Sequence, residues 1–465
     1  MYAFINASSA WLNEHLERFI THHVPSTVFV DSIDDIPQDA NHVFQYCDGW
    51  ELNQNFALLN KRSGLINAYP NSDALARKDH LAAVVDYWTA KRPDSILKDH
   101  VPHTIRLTLD YAEYVDESLT AADDLTLLSS LEDNDFREAC DREWWILKPA
   151  LVDCGAGIRL FSTIDELASN LELAEYEDED EDEETDSDTP VVEKDEDGFS
   201  PTLSIPGLDS LDGIITTASS SKPAAPQTRA KKPAYVFKEG GRIPSAQMRA
   251  FVAQRYIASI CPLENRKWHA RAYVLSIGRL KVHVYKEMLL LLAGEDYQPP
   301  WENPSLKSSL TNTALQDQDV VESRESMRAF WSIKDDLFPG KTDWKEGIFE
   351  QICAISGELF RAAANVMADK FTTLDKCFEL FAVDFMVDDR GEVWLLEVNE
   401  TPAFYQQGIA GPLSLRLMES VVAVAMEHMG VTEGVEAEVR SRMREVLDET
   451  GNLAKSNITE IGPEE

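Results

Sequence analysis

Basic residues are scarce in this chain: 43 Lys and Arg stand against 82 Asp and Glu over 465 residues, a formal net charge of −39. A field of that sign repels phosphate backbones and anionic membranes, so neither nucleic acid nor a membrane is expected as a direct partner. Cysteine is sparse too. The six cysteines, at 47, 140, 154, 261, 353 and 377, form no CxxC pair and no regular spacing, so neither a zinc site nor a disulfide framework is indicated. The first residues lack a basic segment followed by an apolar core, so no signal peptide is expected. Uncharged apolar runs such as Met288–Ala293 are far too short to span a bilayer. There is no GxxxxGK(S/T), and no GxGxxG opening a helix, which removes the P-loop and Rossmann readings. No repeat period is visible. These absences together leave a soluble cytosolic or nuclear protein as the expectation.

What is present suffices for sizeable cores, since 44% of the residues are apolar. In residues 1–69, a helix is expected over Ser8–Phe19, a buried strand over Ser26–Val30 and a turn at Arg62–Gly64. Asp73 to Lys91 reads as one amphipathic helix, with Leu75, Leu81, Val84, Val85 and Trp88 on one side. Trp144–Lys148 reads as a strand and Pro149–Gly157 as a turn, followed by a strand over Ile158–Phe161. Thr163 and Glu166 form a capping box for the next helix. Between Glu175 and Asp197 stand fifteen acids and one lysine, which leaves about −25 on the remainder of the chain. The whole of 174–232 is too polar to offset its ordering entropy and reads as a disordered insertion. Further on, the expectations are a helix over Ser245–Ile260, strands over Lys267–Leu275 and Leu280–Lys286, and a helix over Gly347–Lys370. A helix through Leu417–Ala425 and a charged helix over Glu433–Leu447 complete the reading.

The segment from Cys377 to Pro402 is the most informative. Two strand-like runs flank Asp388-Asp389-Arg390-Gly391, the pattern of a β-hairpin. An even-length loop would put Asp384, Glu397 and Asn399 on one face, because side chains alternate along a strand. Their neighbours are apolar, so two carboxylates there need a cation. Mg²⁺ held by two carboxylates, an amide oxygen and a phosphate meets that need, and so does a buried Arg or Lys. Upstream, alternation aligns Lys267, His269, Arg271 and Tyr273 on one face, and a continuing even register adds Lys286. Such a row of cations suits an anion, and equally a solvated strand face. Lys148 precedes a turn containing Gly155 and Gly157, where glycine lets backbone N–H groups approach phosphate.

The order of these motifs resembles the tubulin-tyrosine ligase-like family. The resemblance runs through Lys78 in Leu75–Leu81, Trp145–Ile158, Gln254–Ile257, Arg266–Val274, Val284–Tyr297 and Leu310–Gln316. It is strongest in Phe378–Pro402, where DFMVD and VWLLEVN are close to the family pattern. It implies an α+β, ATP-grasp fold, built of antiparallel sheets with flanking helices and preceded by a small α/β N-terminal domain over 1–69. The central subdomain would span 70–173 and the C-terminal one 233–430, with a charged helix and tail over 431–465. It implies ATP and Mg²⁺ as cofactors. Lys78, Lys148 and the glycine turn would hold the phosphates, and the backbone of Gln254, Arg255, Tyr256 and Ile257 would hold adenine. Thr311 and Asn312 would lie near nucleotide and substrate. Asp384, Glu397 and Asn399 would be the metal ligands, with Lys267, Arg271 and Lys286 on the acceptor side.

The implied reaction joins an amino acid to a protein or peptide carboxylate in the cytoplasm. The pattern departs from the family only on the acceptor side. Tyr285-Lys-Glu-Met288 replaces a YREG-like run, an arginine beyond it falls within the apolar Leu289–Leu292, and His269 and Ser309 replace an aspartate and a histidine. These changes and the net charge argue against an acidic tubulin tail as acceptor. Fungal members imply a second reading: a weakly active or non-catalytic ATP-grasp module bound to mRNA-decapping proteins in cytoplasmic granules.

Overall fold

The computed structural model describes residues 1–48, 63–109, 114–122, 124–151, 157–170, 249–303, 305–311, 326–432 and 436–450. The insertion expected over 174–232 lies outside them. Strands β1 (Tyr2–Asn6), β2 (Val28–Val30), β3 (His42–Cys47) and β4 (Ser63–Ile66) pair in parallel in the order β2-β1-β3-β4. The helix Ala10–His23 connects β1 to β2, with the Ser9 side chain accepting the Leu12 N–H at its start. This is the expected α/β unit, with two corrections. β2 lies at the sheet edge and stays partly exposed rather than buried, and Ser63-Gly64 opens β4 instead of a turn.

The second sheet is antiparallel, with the order β5-β8-β6-β7 for β5 (Thr104–Thr108), β6 (Trp145–Pro149), β7 (Arg159–Phe161) and β8 (Ala250–Arg255). β8 occupies part of the segment expected to be the helix Ser245–Ile260. Its period of two decides the matter: Phe251 and Ala253 join the core of Trp145, Leu147 and Phe161, while Gln254 turns to the other face. With both edges paired to β5 and β6, sheet contacts outweigh the helix preference of Ala, Gln and Arg. The central unit therefore takes chain from beyond 173 as well as before it.

The third sheet is antiparallel and has β9 (Arg266–Ile277) as its spine. β13 (Phe378–Val387) runs along one edge of β9. β10 (Lys281–Tyr285) and β11 (Leu289–Asp296) follow one another along the other. β12 (Met327–Ala329) flanks β11, β14 (Val393–Asn399) flanks β13, and β15 (Met443–Asp448) flanks β10. β15 replaces the last third of the charged helix expected over Glu433–Leu447, of which Ala437–Ser441 alone is helical among the described residues. It covers an edge that β10 would otherwise leave open. Gly357 of the helix Trp344–Val366 permits the approach, since a Cβ there would lie 3.0 Å from the Val446 carbonyl oxygen.

The faces of β9 divide cleanly. Trp268, Ala270, Ala272 and Val274 pack with the helices Lys78–Lys91 and Trp344–Val366. Tyr273, Leu275 and Ile277 pack with Ala10–His23 and Ala410–His428. The remaining positions of the second face, Lys267, His269 and Arg271, are left to the site. The expected helix Asp73–Lys91 is two helices, Asp73–Ala76 and Lys78–Lys91, because Arg77 is extended at φ −81°, ψ 126°.

Candidate nucleotide and metal site

The β13–β14 hairpin reaches the expected alignment by an unexpected route. Val387 pairs with Val393, Met386 with Trp394 and Phe385 with Leu395, so the loop 388–392 is odd in length. That register alone would set Asp384 opposite Leu396. A bulge after Leu395 adds one residue, and Asp384 faces Glu397 while Ala382 faces Asn399. The loop is held by Asp388, whose Oδ1 accepts the N–H groups of Arg390 and Glu392, both at 2.9 Å; Gly391 supplies φ +76°.

Across β9, Asp384 lies opposite Arg271. Arg271 Nε and Nη2 donate to Asp384 Oδ1 and Oδ2 at 2.9 and 2.8 Å. Asn399 Nδ2 donates to Oδ2 at 3.3 Å, and His269 Nε2 stands 3.5 Å from Oδ1. Of the two ways to satisfy this carboxylate, the arginine partner is the one present. Burial alone would raise the pKa of Asp384, but Arg271 and His269 outweigh it and hold the carboxyl far below the usual range. Burial likewise opposes the charge on Arg271, and Asp384 more than restores it. Glu397 faces a different cation, Lys78 Nζ at 3.8 Å.

Lys148 at the end of β6 is buried and donates to Gln254 Oε1 at 2.8 Å; Gln254 Nε2 in turn donates to Thr104 Oγ1. Burial pushes the Lys148 ammonium down to about 8, with Glu397 opposing the shift and Lys78 adding to it. Lys267 is 1% exposed and donates to the Ile257 carbonyl at 2.8 Å, with its Nζ 3.7 Å from the centre of the Tyr256 ring. Burial and then Lys148 hold it well below an ordinary lysine. Among the described residues it has no carboxylate partner. Two buried ammonium groups short of counter-charge make a receptor for an anion.

One cavity collects these groups. Lys148, Gln254, Arg255, Tyr256, Ile257, Lys267, Thr311, Asp384 and Glu397 all line it, and it holds about 580 Å³ of empty space including its mouth. Its walls include Ile146, Ile158, Leu310, Met386 and Leu396, which make an apolar slot beside the charged groups. Alternation would have found two of these, since Ile146 shares a face with Lys148 and Met386 with Asp384. Ile158 and Leu310 carry no such signal. Tyr256 is pinned by its N–H to the Trp144 carbonyl and its hydroxyl to the Ser309 carbonyl.

The acceptor-side assignments need two corrections. Lys267 lines the same cavity as Lys148 and Gln254–Ile257, because it lies at the end of β9 nearest Ile257. Lys286 is exposed and does not line the cavity. Ile277 pairs with Lys281 across a three-residue turn, so the odd positions Lys281, His283 and Tyr285 share the Arg271 face. Lys286 has the opposite parity, and its Nζ lies over the Trp331 ring. The Arg255 side chain turns outward to Glu143, so only its backbone can face a ring. Gly157 closes the β6–β7 turn at φ +71°. Gly155 and Asn312 lie outside the described residues.

The donor set is of the oxygen type that Mg²⁺ takes beside a phosphate chain, although both Asp384 oxygens already accept from Arg271. Asp384, Glu397 and Asn399 offer hard oxygen donors on one face, and among the described residues no group of three His, Cys, Asp or Glu forms an all-protein metal cage. Two carboxylates and an amide are what Mg²⁺ takes when substrate oxygens and water complete its shell.

The family model of the tubulin-tyrosine ligase family matches residues 57–433, so the chain belongs to that family. It is 36% identical over 372 residues to a probable tubulin–tyrosine ligase of Schizosaccharomyces pombe, covering 80% of this chain and 78% of that one. The probable tubulin–tyrosine ligase PBY1 of Saccharomyces cerevisiae is 30% identical over 413 residues, covering 85% of this chain and 48% of the yeast protein. The chain thus spans about half the length of that relative. Its fold is ATP-grasp: the crystal structure of the C-terminal domain of K. lactis Pby1 aligns with a TM-score of 0.62, 24% identity, and 96% and 99% coverage of the two chains. That domain is described as an ATP-grasp enzyme interacting with the mRNA decapping enzyme Dcp2.

Proposed function

We propose that this chain is an ATP- and Mg²⁺-dependent carboxylate–amine ligase that adds an amino acid to a protein or peptide carboxylate. The observation that carries the proposal is the single cavity that combines two buried lysines, the facing pair Asp384 and Glu397, and an apolar slot beside the Gln254–Ile257 backbone. Adenine occupies the slot, and Lys148 and Lys78 hold the phosphates. The γ-phosphoryl group passes to a carboxylate oxygen, giving an acyl phosphate and ADP. The amine nitrogen then attacks the carbonyl carbon, the C–O bond to phosphate breaks, inorganic phosphate leaves, and the amine proton goes to solvent. Positioning and charge neutralisation supply most of the catalysis in such transfers. Bound Mg²⁺ would neutralise the charge of the transferred phosphoryl oxygens.

The test is a thermal shift with Mg·ATP, followed by ADP release with candidate amino acids present. Glu397→Gln should abolish the shift; an unchanged shift would remove Glu397 from the metal site. A second reading, a partner-binding ATP-grasp module in decapping assemblies, is favoured by one observation. Leu289 and Leu291 stand opposite Arg271 and His269, where the family pattern expects a further cation. A Mg·ATP shift without turnover, together with no added amino-acid residue on cellular proteins by mass spectrometry, would select it.

A further inference from the structure

Asp384 lines the cavity that holds Lys148 and Lys267, but its partner Arg271 does not. Arg271 lines a second, open hollow of about 1450 Å³ including its mouth, and Glu397 and His269 line both. The guanidinium is the more open of the two partners: the Arg271 side chain is 17% exposed and that of Asp384 4%.

Asp384 has no acceptor site to spare. An ionised carboxylate offers about four lone-pair sites. Arg271 takes one on each oxygen through Nε and Nη2, Asn399 Nδ2 stands 3.3 Å from Oδ2, and His269 Nε2 stands 3.5 Å from Oδ1. Each oxygen thus has two nitrogen neighbours. Glu397 differs, for its cation, Lys78 Nζ, is 3.8 Å away. A divalent cation held by both acids would share Asp384 with a guanidinium already forked onto it. In so buried a place two such cations repel strongly, because little water screens them. One partner has to yield. Asn399 has a short side chain fixed to β14, and His269 is anchored through Nδ1 to Thr311 Oγ1 at 2.5 Å. Arg271 alone of the three combines a long flexible stem with open space beside it.

We propose that Arg271 guards Asp384: the fork must open before a divalent cation can be held there, and the released guanidinium turns into the second hollow. There it is free to fork a carboxylate of the substrate instead. The competition rests on the metal reading of Asp384 given above. The order of binding that follows, metal and nucleotide before substrate carboxylate, rests on the ligase reading.

The test uses the full chain and two readouts other than turnover. The first is thermal melting in graded MgCl₂ against KCl of equal ionic strength. The wild type should need at least about tenfold more Mg²⁺ for its half-maximal shift than Arg271→Ala, because apparent affinity falls with the fraction of molecules whose fork is open. Equal Mg²⁺ dependence, or no shift in either protein, overturns the competition. If Arg271→Ala does not fold, Arg271→Lys, which keeps the charge without the fork, should show a smaller difference of the same sign. The second readout is phenylglyoxal labelling followed by peptide mass spectrometry. Labelling of Arg271 should quicken at least about fivefold with MgCl₂ and a non-hydrolysable ATP analogue, while exposed Arg137 keeps its rate. An Arg271 rate that holds or slows, in a protein whose melting the analogue raises, overturns the release. The failures are distinct. No thermal shift with the analogue, while Mg²⁺ alone still separates wild type from variant, sinks the ligase reading and spares the competition. A shift with the analogue and no such separation sinks the competition alone.

Discussion

The two sides of the Asp384–Glu397 pair share one sheet face yet are built by opposite rules. On the cavity side, Lys148 and Lys267 are buried, short of counter-charge and tied to an amide and a carbonyl oxygen. On the other side, Arg77 and Arg271 each already grip a carboxylate, Asp79 and Asp384. A buried ammonium without a partner raises the energy of the empty protein and is relieved by an anion, whereas a forked arginine is satisfied as it stands. The first arrangement suits an anion; the second stabilises the fold.

Substitutions can break this contrast. The largest effect should come from Arg271→Ala, which leaves Asp384 buried without its partner. A loss of about 3–5 kcal/mol in urea unfolding is expected, and a loss below about 1 kcal/mol would show that the fork is not structural. Lys148→Met should act in the reverse sense. Mg·ATP affinity should fall on the order of a hundredfold, equivalent to about 2.7 kcal/mol of ligand-linked stabilisation. The melting temperature of the free protein should hold or rise, because a costly buried charge is gone. A free protein that melts lower would mean that Lys148 serves packing rather than phosphate.

Glu379 sharpens the comparison through pH. It accepts the Tyr69 N–H and lies 3.0 Å from the Ser72 hydroxyl, which is also 3.0 Å from Glu400. Burial pushes its carboxyl up to about 8, against the hydrogen bonds from Tyr69 and Ser72. With a folded value above the unfolded one, the folded state binds more protons. The Glu379 contribution is therefore complete below the ordinary glutamate range and is lost as pH rises through about 8. Between those limits stability should fall by roughly 1.4 kcal/mol per pH unit, and Glu379→Gln should flatten that slope in urea titrations. A wild-type slope of zero would place the proton elsewhere. The smallest effect belongs to Lys286→Ala, with stability changed by less than about 0.5 kcal/mol and the Mg·ATP shift intact. Loss of the shift would return Lys286 to the site.

Part of the site is legible along single strands. The alternation Lys267-His269-Arg271 follows from period two, and the structure keeps it; the facing of Asp384 by Glu397, expected from an even-length loop, is reached instead by an odd loop and a bulge. Legibility ended where two strands had to be set against each other. The Arg271–Asp384 fork joins residues 113 apart in sequence, and nothing local announces it. The loop 388–392 has the wrong parity, and the bulge after Leu395 that corrects it has no marker in the residues. Lys286 failed for the same reason, because a three-residue turn reversed its face. The residues of β8 and β15 tolerate helix or strand, and the neighbouring strand edges decide between the two.

From its residues alone, this chain determined which side chains could act: the acids and amide of the last hairpin, the lysines before it, the excess of negative charge. Those are properties of composition and period, and they persist in any register. Which cation meets which acid, and whether a lysine ends in the cavity or in solvent, depended on strand pairing and loop parity. A shift of one residue turns every side chain of a strand to its opposite face, so those outcomes were settled only when the sheets assembled.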